Sequence, residues 1–196
     1  MLPFSEACER NKGPILGILE SAFREVGQVL EIGSGTGQHA VHFSRHLPHL
    51  SWQPTDRAGY LAGLAARIAL EGPANLRAPV ALDVTEEPWP VVEADAFFSA
   101  NTLHIMSWEE VKALFAGVGR RIVRRGVLAV YGPFRYGGRY TSDSNAWFDR
   151  DLRERDPASG IRDFESVDAL AIAQGLGLEA DHAMPANNQL LVWRRN

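Results

Sequence analysis

The segment Val29-Leu30-Glu31-Ile32-Gly33-Ser34-Gly35-Thr36-Gly37 constrains this chain more than any other. An apolar run of strand character, Gln28–Ile32, feeds straight into three alternating glycines, and Gln38–Leu47 then reads as helix. A glycine loop between strand and helix lets backbone approach a ligand closely, because no Cβ stands in the way. The dinucleotide fingerprint has the spacing G-x-G-x-x-G and seats a pyrophosphate on the helix N-terminus. Here the spacing is G-x-G-x-G, and the acidic Glu31 precedes it. A carboxylate so close repels pyrophosphate and suits a ligand bearing ammonium and sulfonium charges.

The rest of the chain alternates in the same way. Ile15, Leu16, Leu19 and Phe23 follow helical spacing after Pro14, which suits a first turn. Ser51–Thr55 reads as a second strand; Leu61, Leu64, Ala65 and Ile68 mark a helix that Gly72-Pro73 ends. Strand-like runs recur at Arg77–Leu82, Ala96–Ala100 and Gly126–Tyr131, and Ser107 with Glu110 forms a capping-box pair opening another helix. Apolar strands alternating with helices predict a parallel sheet covered on both faces. Beyond Tyr131 the pattern changes. Tyr131–Glu165 predicts a loop with one short helix near Ala146–Arg153, followed by a helix at Val167–Gly175. Leu178–Met184 and Gln189–Arg194 then flank the turn cluster Pro185–Asn188 as a terminal hairpin.

Length and composition remove several classes. The 196 residues suit one domain, without a linker or an internal repeat. A net charge of −4 with no Lys/Arg block argues against a duplex nucleic acid partner. Cys8 is the only cysteine, which leaves no disulfide framework and no thiolate zinc cluster. The N-terminus lacks a signal-like apolar run, and nothing approaches the roughly 20 apolar residues of a membrane span. A cytoplasmic protein is the expectation. His39, His42 and His46 fall at i, i+3 and i+7, but Ala40, Phe43 and Leu47 beside them make a polar flank of the core the simpler account than a metal.

The loop spacing and Glu31 tilt the choice towards S-adenosylmethionine, and here the sequence resembles the class I S-adenosylmethionine-dependent methyltransferases. Their first motif is E/D-x-G-x-G-x-G, and the resemblance runs from about Val26 to Arg195. It implies a doubly wound, mostly parallel seven-stranded α/β sheet with an antiparallel C-terminal hairpin strand. Cofactor contacts would come from Glu31, Gly33, Ser34, Gly35, Thr36 and Gly37, from Asp56 on the ribose with Arg57 beside it, and from Asp83 with the Val84 N–H on adenine. Asn101 and His104 stand where such enzymes contact cofactor or substrate. An unperturbed histidine titrates near neutrality, so His104 is a candidate general base, or equally a packed histidine.

Arg10-Asn11-Lys12-x-Pro14, Asn101–His104, Tyr131-Gly132-Pro133-Phe134 and Ser142-x-Ser144-Asn145 carry a closer resemblance to an uncharacterised methyltransferase-like family without a settled substrate. It implies that residues 1–27 form a helical segment over the cofactor, with Arg10, Asn11 and Lys12 available to its carboxylate. Residues 132–165 would form a lid over the acceptor. Tyr131, Phe134, Arg135, Tyr136 and Asn145 are its candidate contacts.

No N-P-P-Y-like signature follows the fourth strand, and no cysteine stands in the cleft region to attack a pyrimidine. A small-molecule O-, N- or S-acceptor is the resulting expectation. The rivals are a non-catalytic cofactor-binding module and a nicotinamide-dependent oxidoreductase.

Overall fold

The computed structural model describes residues 2–196. The chain opens with α1 (Glu6–Ala22), followed by β1 (Gln28–Ile32), α2 (Gln38–His46), β2 (Ser51–Asp56), α3 (Leu61–Glu71), β3 (Val80–Ala81) and β4 (Ala94–Ala100). Next come α4 (Trp108–Arg121), β5 (Ile122–Gly132), the short strands β6 (Phe134–Tyr136) and β7 (Arg139–Tyr140), and α5 (Asp143–Arg155). The chain ends with β8 (Arg162–Asp163), α6 (Phe164–Ala173), β9 (Leu176–Met184) and β10 (Asn188–Arg195). Among the described residues, no helix is long and apolar enough to cross a membrane.

Seven strands form one sheet in the order β3-β2-β1-β4-β5-β10-β9. The pairs from β3 to β5 are parallel, and β10 runs antiparallel between β5 and β9. The expected doubly wound sheet with an antiparallel terminal hairpin is therefore present. Chain order reverses between β1 and β4, which leaves a crevice outside the carboxyl ends of those two strands.

Alternation along each strand divides the core. Leu30, Phe97, Leu128, Val130 and Leu191 face α4 and α6, meeting Val111, Leu114, Phe115 and Val118 on α4. Val29, Ala96, Phe98, Val127, Ala129 and Val192 face α1 and α2, against Ile15, Leu19, Val41 and Phe43. With both faces covered, the central strands carry consecutive apolar residues at Val29-Leu30, Ala96–Phe98 and Val127–Val130.

Three elements depart from expectation. Pro14 sits inside α1 and not in its first turn. The helix begins earlier because Ser5 caps it, its hydroxyl accepting from the Cys8 N–H. The bond Pro14 cannot donate is outweighed by the stripe Asn11, Ile15 and Leu19, all buried against the sheet side. The third strand shrinks from Arg77–Leu82 to Val80–Ala81: Pro79 has no N–H to give the ladder, and both strand residues are exposed at the sheet edge. The expected loop after β5 contains a second small sheet, β7-β6-β8, beside α5, which runs longer than the sequence suggested. The Ser107–Glu110 capping box opens α4 as expected.

Phe98 anchors an aromatic cluster with Phe43 (ring centroids 5.3 Å apart) and Trp52 (5.8 Å) directly beneath the glycine loop. Phe98→Ala should cost about 3–5 kcal/mol in urea unfolding. A loss below about 1 kcal/mol would show that this face of the core is not close-packed.

Candidate functional site

The glycine loop is laced to the end of β2. The Thr55 carbonyl accepts from the N–H groups of Gly33 (3.1 Å) and Ser34 (2.9 Å). The Thr55 hydroxyl donates to the Glu31 carbonyl (2.6 Å), and the Thr55 N–H donates to Ser34 Oγ (3.2 Å). Gly33 has φ +76°, and a Cβ there would lie 2.7 Å from Thr102 Oγ1, so the loop rests against the segment after β4. Gly35 has φ +53°, and a Cβ there would meet no atom within 4 Å. That open side faces the cleft.

Glu31 occupies a different place from the one its spacing suggested. It is 2 % exposed, and its carboxylate accepts from Trp52 Nε1 (3.0 Å). Burial pushes its carboxyl up to about 7, against the opposing hydrogen bonds from Trp52 and Ser34. Strand parity turns its side chain towards the α1–α2 side of the sheet, so it supports the loop from beneath and does not line the cleft.

The cleft itself holds about 680 Å³, within the range of about 300–1,000 Å³ usual for small-molecule sites. At one end stand Gly33, Ser34, Gly35, Thr36 and Asp56. Asp56 accepts from the N–H groups of Gly35 (2.6 Å) and Arg57 (2.7 Å); burial raises its carboxyl pKa and these two bonds oppose the rise. Arg57 pairs with Glu110 and, at 3.5 Å, with Asp83. Asp83 spends its other oxygen on Thr85 N–H and hydroxyl, whose bonds hold its carboxyl below the usual range. Its neighbours Leu82 and Val84 line the cleft, and Asp83 does not.

Of the basic N-terminal run, Arg10 alone reaches the cleft, together with Ser5, Ala7 and Cys8. Asn11 is buried one helical position further round, with Oδ1 2.6 Å from His39 Nε2; Lys12 pairs with Glu9. The N-terminal segment is tied down at two points. The Ser5 N–H donates to Gln38 Oε1 (2.6 Å), and the Arg67 guanidinium donates to the carbonyls of Pro3 (2.5 Å) and Thr36 (2.6 Å).

The other end of the cleft belongs to β4, β5, α5 and the terminal hairpin. Asn101 adopts φ +57° and donates its N–H to the Tyr131 carbonyl (2.9 Å). His104 is 6 % exposed, with its ring 5.3 Å from that of Phe148. Burial lowers its pKa to about 4, and the nearby Arg162 charge acts in the same direction, so the imidazole is unprotonated at neutral pH. Residues 158–162 hold the His104 segment by its backbone. The carbonyls of Leu103 and Met106 accept from the Arg162 guanidinium, that of His104 from the Gly160 N–H (2.8 Å), and that of Ile105 from the Ser159 hydroxyl (3.0 Å).

Asn145 lines this end and donates to the Asn187 carbonyl (2.9 Å), joining α5 to the hairpin turn. The other expected lid contacts lie elsewhere. Tyr131 and Phe134 are 3 % and 1 % exposed within the core. Arg135 pairs with Asp163 (2.7 Å), and the Tyr136 hydroxyl donates to Asp181 (2.7 Å). Tyr131 lies on β5 and the other three on β6, none of them lines the cleft, and Ser144, Asn145 and Phe148 of α5 line it instead. Sequence reasoning missed Tyr60, Met106, Phe148 and Asn188 in the lining. Phe148 was the most accessible of these, since it and Trp147 stand together as large apolar residues on a helix rich in charge. His39, His42 and His46 do not meet as a set of three: the His42 and His46 rings lie 4.3 Å apart, with His46 Nδ1 2.8 Å from the His42 carbonyl, while His39 faces Asn11.

The sequence matches the family described as "Protein of unknown function (DUF938)" over residues 2–195. The chain belongs to this family. Solved structures give its fold a wider setting. An O-methyltransferase family protein from Burkholderia thailandensis superposes with TM-score 0.85 at 15 % identity, over 97 % of this chain and 58 % of its own length. Human N-acetylserotonin methyltransferase in complex with SAM gives TM-score 0.81 at 15 % identity, over 97 % of this chain and 53 % of its own. An O-methyltransferase family 2 protein from Planctomyces limnophilus, in complex with apigenin, gives 0.83 at 16 %, over 94 % and 56 %. The fold is that of the class I methyltransferases, and this family member spans little more than half the length of these relatives.

Glu31 makes stability depend on pH. Its carboxyl titrates near 4.5 when unfolded and about 7 when folded. Between those values the unfolded chain has released a proton that the folded chain keeps, so stability falls as pH rises through the window. Glu31→Gln removes this loss. The stability difference between variant and parent, measured by urea unfolding, should shift in the variant's favour by on the order of 3 kcal/mol from pH 4.5 to pH 8. An unchanged difference would mean that Glu31 is ionised in the folded protein.

Proposed function

We propose that this chain transfers a methyl group from S-adenosylmethionine to a small-molecule acceptor. The observation that carries the reading is a single continuous cleft with the glycine loop and Asp56 at one end and His104 at the other. The residues fit the cofactor. The open side of Gly35 leaves room for a ligand against the backbone, and Asp56 stands beside it with a carboxylate suited to paired ribose hydroxyls. Each such charge-assisted bond contributes about 1.5–3 kcal/mol. Leu82, Val84 and Tyr60 offer apolar surface for adenine, and Arg10 offers a cation for the methionine carboxylate.

When bound, the cofactor supplies an activated methyl group on a sulfonium centre. The work left to the chain is positional: holding acceptor and donor in line, in near-attack geometry, lowers the barrier chiefly through orientation. The unprotonated His104 faces the cleft and can take the proton that an acceptor O–H or N–H sheds. In this reading the described residues from 2 to 27 cover the cofactor end, and residues 132–165, through α5, cover the acceptor end of one domain.

The Gly35–Asp56 arrangement separates this reading from its rivals by measurement. S-adenosylhomocysteine should raise the melting temperature, whereas NAD and NADP should not; stabilisation by NAD alone would favour an oxidoreductase. Asp56→Ala should abolish calorimetric binding of S-adenosylhomocysteine, and unchanged affinity would remove Asp56 from the site. Radiolabelled methyl transfer across a panel of neutral O–H, N–H and S–H compounds should find turnover. Binding without any turnover would favour a non-catalytic module. By NMR, the His104 imidazole should titrate near pH 4, and a midpoint near 6.5 would contradict its buried, unprotonated state.

A further inference from the structure

The two ends of the cleft differ in charge. Every ionised side chain in the lining belongs to the cofactor end or to its α1 cover: Asp56, Arg57 and Glu110, with Arg10 above them. Arg57 and Glu110 neutralise each other, and Arg10 is a largely solvated side chain 4.0 Å from Glu6. The end formed by β4, β5, α5 and the hairpin turn has no ionised group in its lining. Its apolar surface comes from Ile105, Met106, Pro133, Phe148 and Ala186. Its polar groups are neutral: the side chains of Asn101, Thr102, Ser144, Asn145 and Asn188, and the imidazole of His104.

One cation lies just behind this wall. Arg162 donates to the carbonyls of Leu103, Met106 and Ala158, so its N–H groups are engaged by backbone and it does not enter the lining, while its charge helps to keep the His104 imidazole unprotonated. The mouth is apolar as well. Of the residues that line it, Ile105 is 56 % exposed and Phe148 36 %. Large apolar side chains left in water around one opening mark a binding surface.

We infer that the acceptor is an uncharged, largely apolar molecule bearing an O–H or N–H that reaches His104. The inference rests on the methyltransferase reading of the cleft and adds the acceptor's chemistry to it. A carboxylate, phosphate or ammonium brought into this end would lose hydration and meet no oppositely charged side chain in the lining, a cost that an apolar body with one hydrogen-bonding group avoids. Ring faces suit Phe148 and Met106, which interact well with aromatic surface. The backbone clamp from residues 158–162 means that the wall is shaped before the ligand arrives, so little ordering cost falls on binding.

Four congeners sharing one ring system test the point: 2-naphthol, 2-naphthoate, 2-naphthyl phosphate and 2-naphthylmethylammonium. Their binding is measured calorimetrically on the full chain, with and without saturating S-adenosylhomocysteine. The neutral naphthol should bind at least about tenfold more tightly than each charged congener, a difference of about 1.4 kcal/mol or more. Ile105→Lys, at an exposed position that tolerates the change, should narrow or invert the gap between naphthol and naphthoate. Equal affinities, a preference for a charged congener, or no binding by any of the four would overturn the inference. If S-adenosylhomocysteine itself does not bind, the cofactor reading fails, and the order of the congeners on the free protein still decides the acceptor class.

Discussion

Everything at the cleft depends on how β2 grips the glycine loop. Thr55 engages Glu31, Gly33 and Ser34 through its carbonyl, amide and hydroxyl, and Asp56 takes the next free N–H at Gly35. These bonds turn a stretch of backbone with little conformational preference of its own into a fixed rim. Beneath it, Glu31, Trp52, Phe43 and Phe98 fill the space between the sheet and α2. Above it, the N-terminal segment is anchored through Gln38 and Arg67, so the floor and the cover of one end share the same few partners. Thr102, touching Gly33 from the β4 side, extends this rim across the reversal of strand order to the His104 segment.

Much of the fold was legible because burial on both faces leaves a simple pattern. The centres of β1, β4 and β5, at Val29-Leu30, Ala96–Phe98 and Val127–Val130, are apolar on both faces, and the glycines after β1 and at the end of β5 and the capping box of α4 punctuate the pattern. The failures came where local signals compete. Pro14 is a good first-turn residue in isolation, and only the Ser5 cap with the buried Asn11–Ile15–Leu19 stripe makes the longer helix prevail. Val80 and Ala81 look like any short strand, but an exposed edge position allows pairing for just two residues.

The site was legible in part, and the division is physical. Asp56, Gly35 and His104 line the cleft, and their places follow from strand ends that the sequence reveals. Glu31, Asn11 and Asp83 have chemistry that suits a charged ligand, and each is engaged instead by a protein partner: Trp52, His39 and Thr85. A residue type shows which bonds are possible, and only the packing shows which have already been made. The lid went astray for a related reason. Arg135 and Tyr136 are matched by Asp163 and Asp181, partners 28 and 45 residues away along the chain. No short-range pattern links such pairs.

The hold on the His104 segment has a consequence for how such a site can change. Its carbonyls from Leu103 to Met106 are gripped by residues 158–162, whereas the side chains of Ile105 and Met106 take no part in that grip. The contour of the wall is thus written in the main chain and its surface chemistry in the side chains. Replacing Ile105 or Met106 can retune what the wall attracts without reshaping it. One scaffold can in this way serve a lineage of different ligands, each new preference requiring few substitutions and leaving the imidazole where it stands.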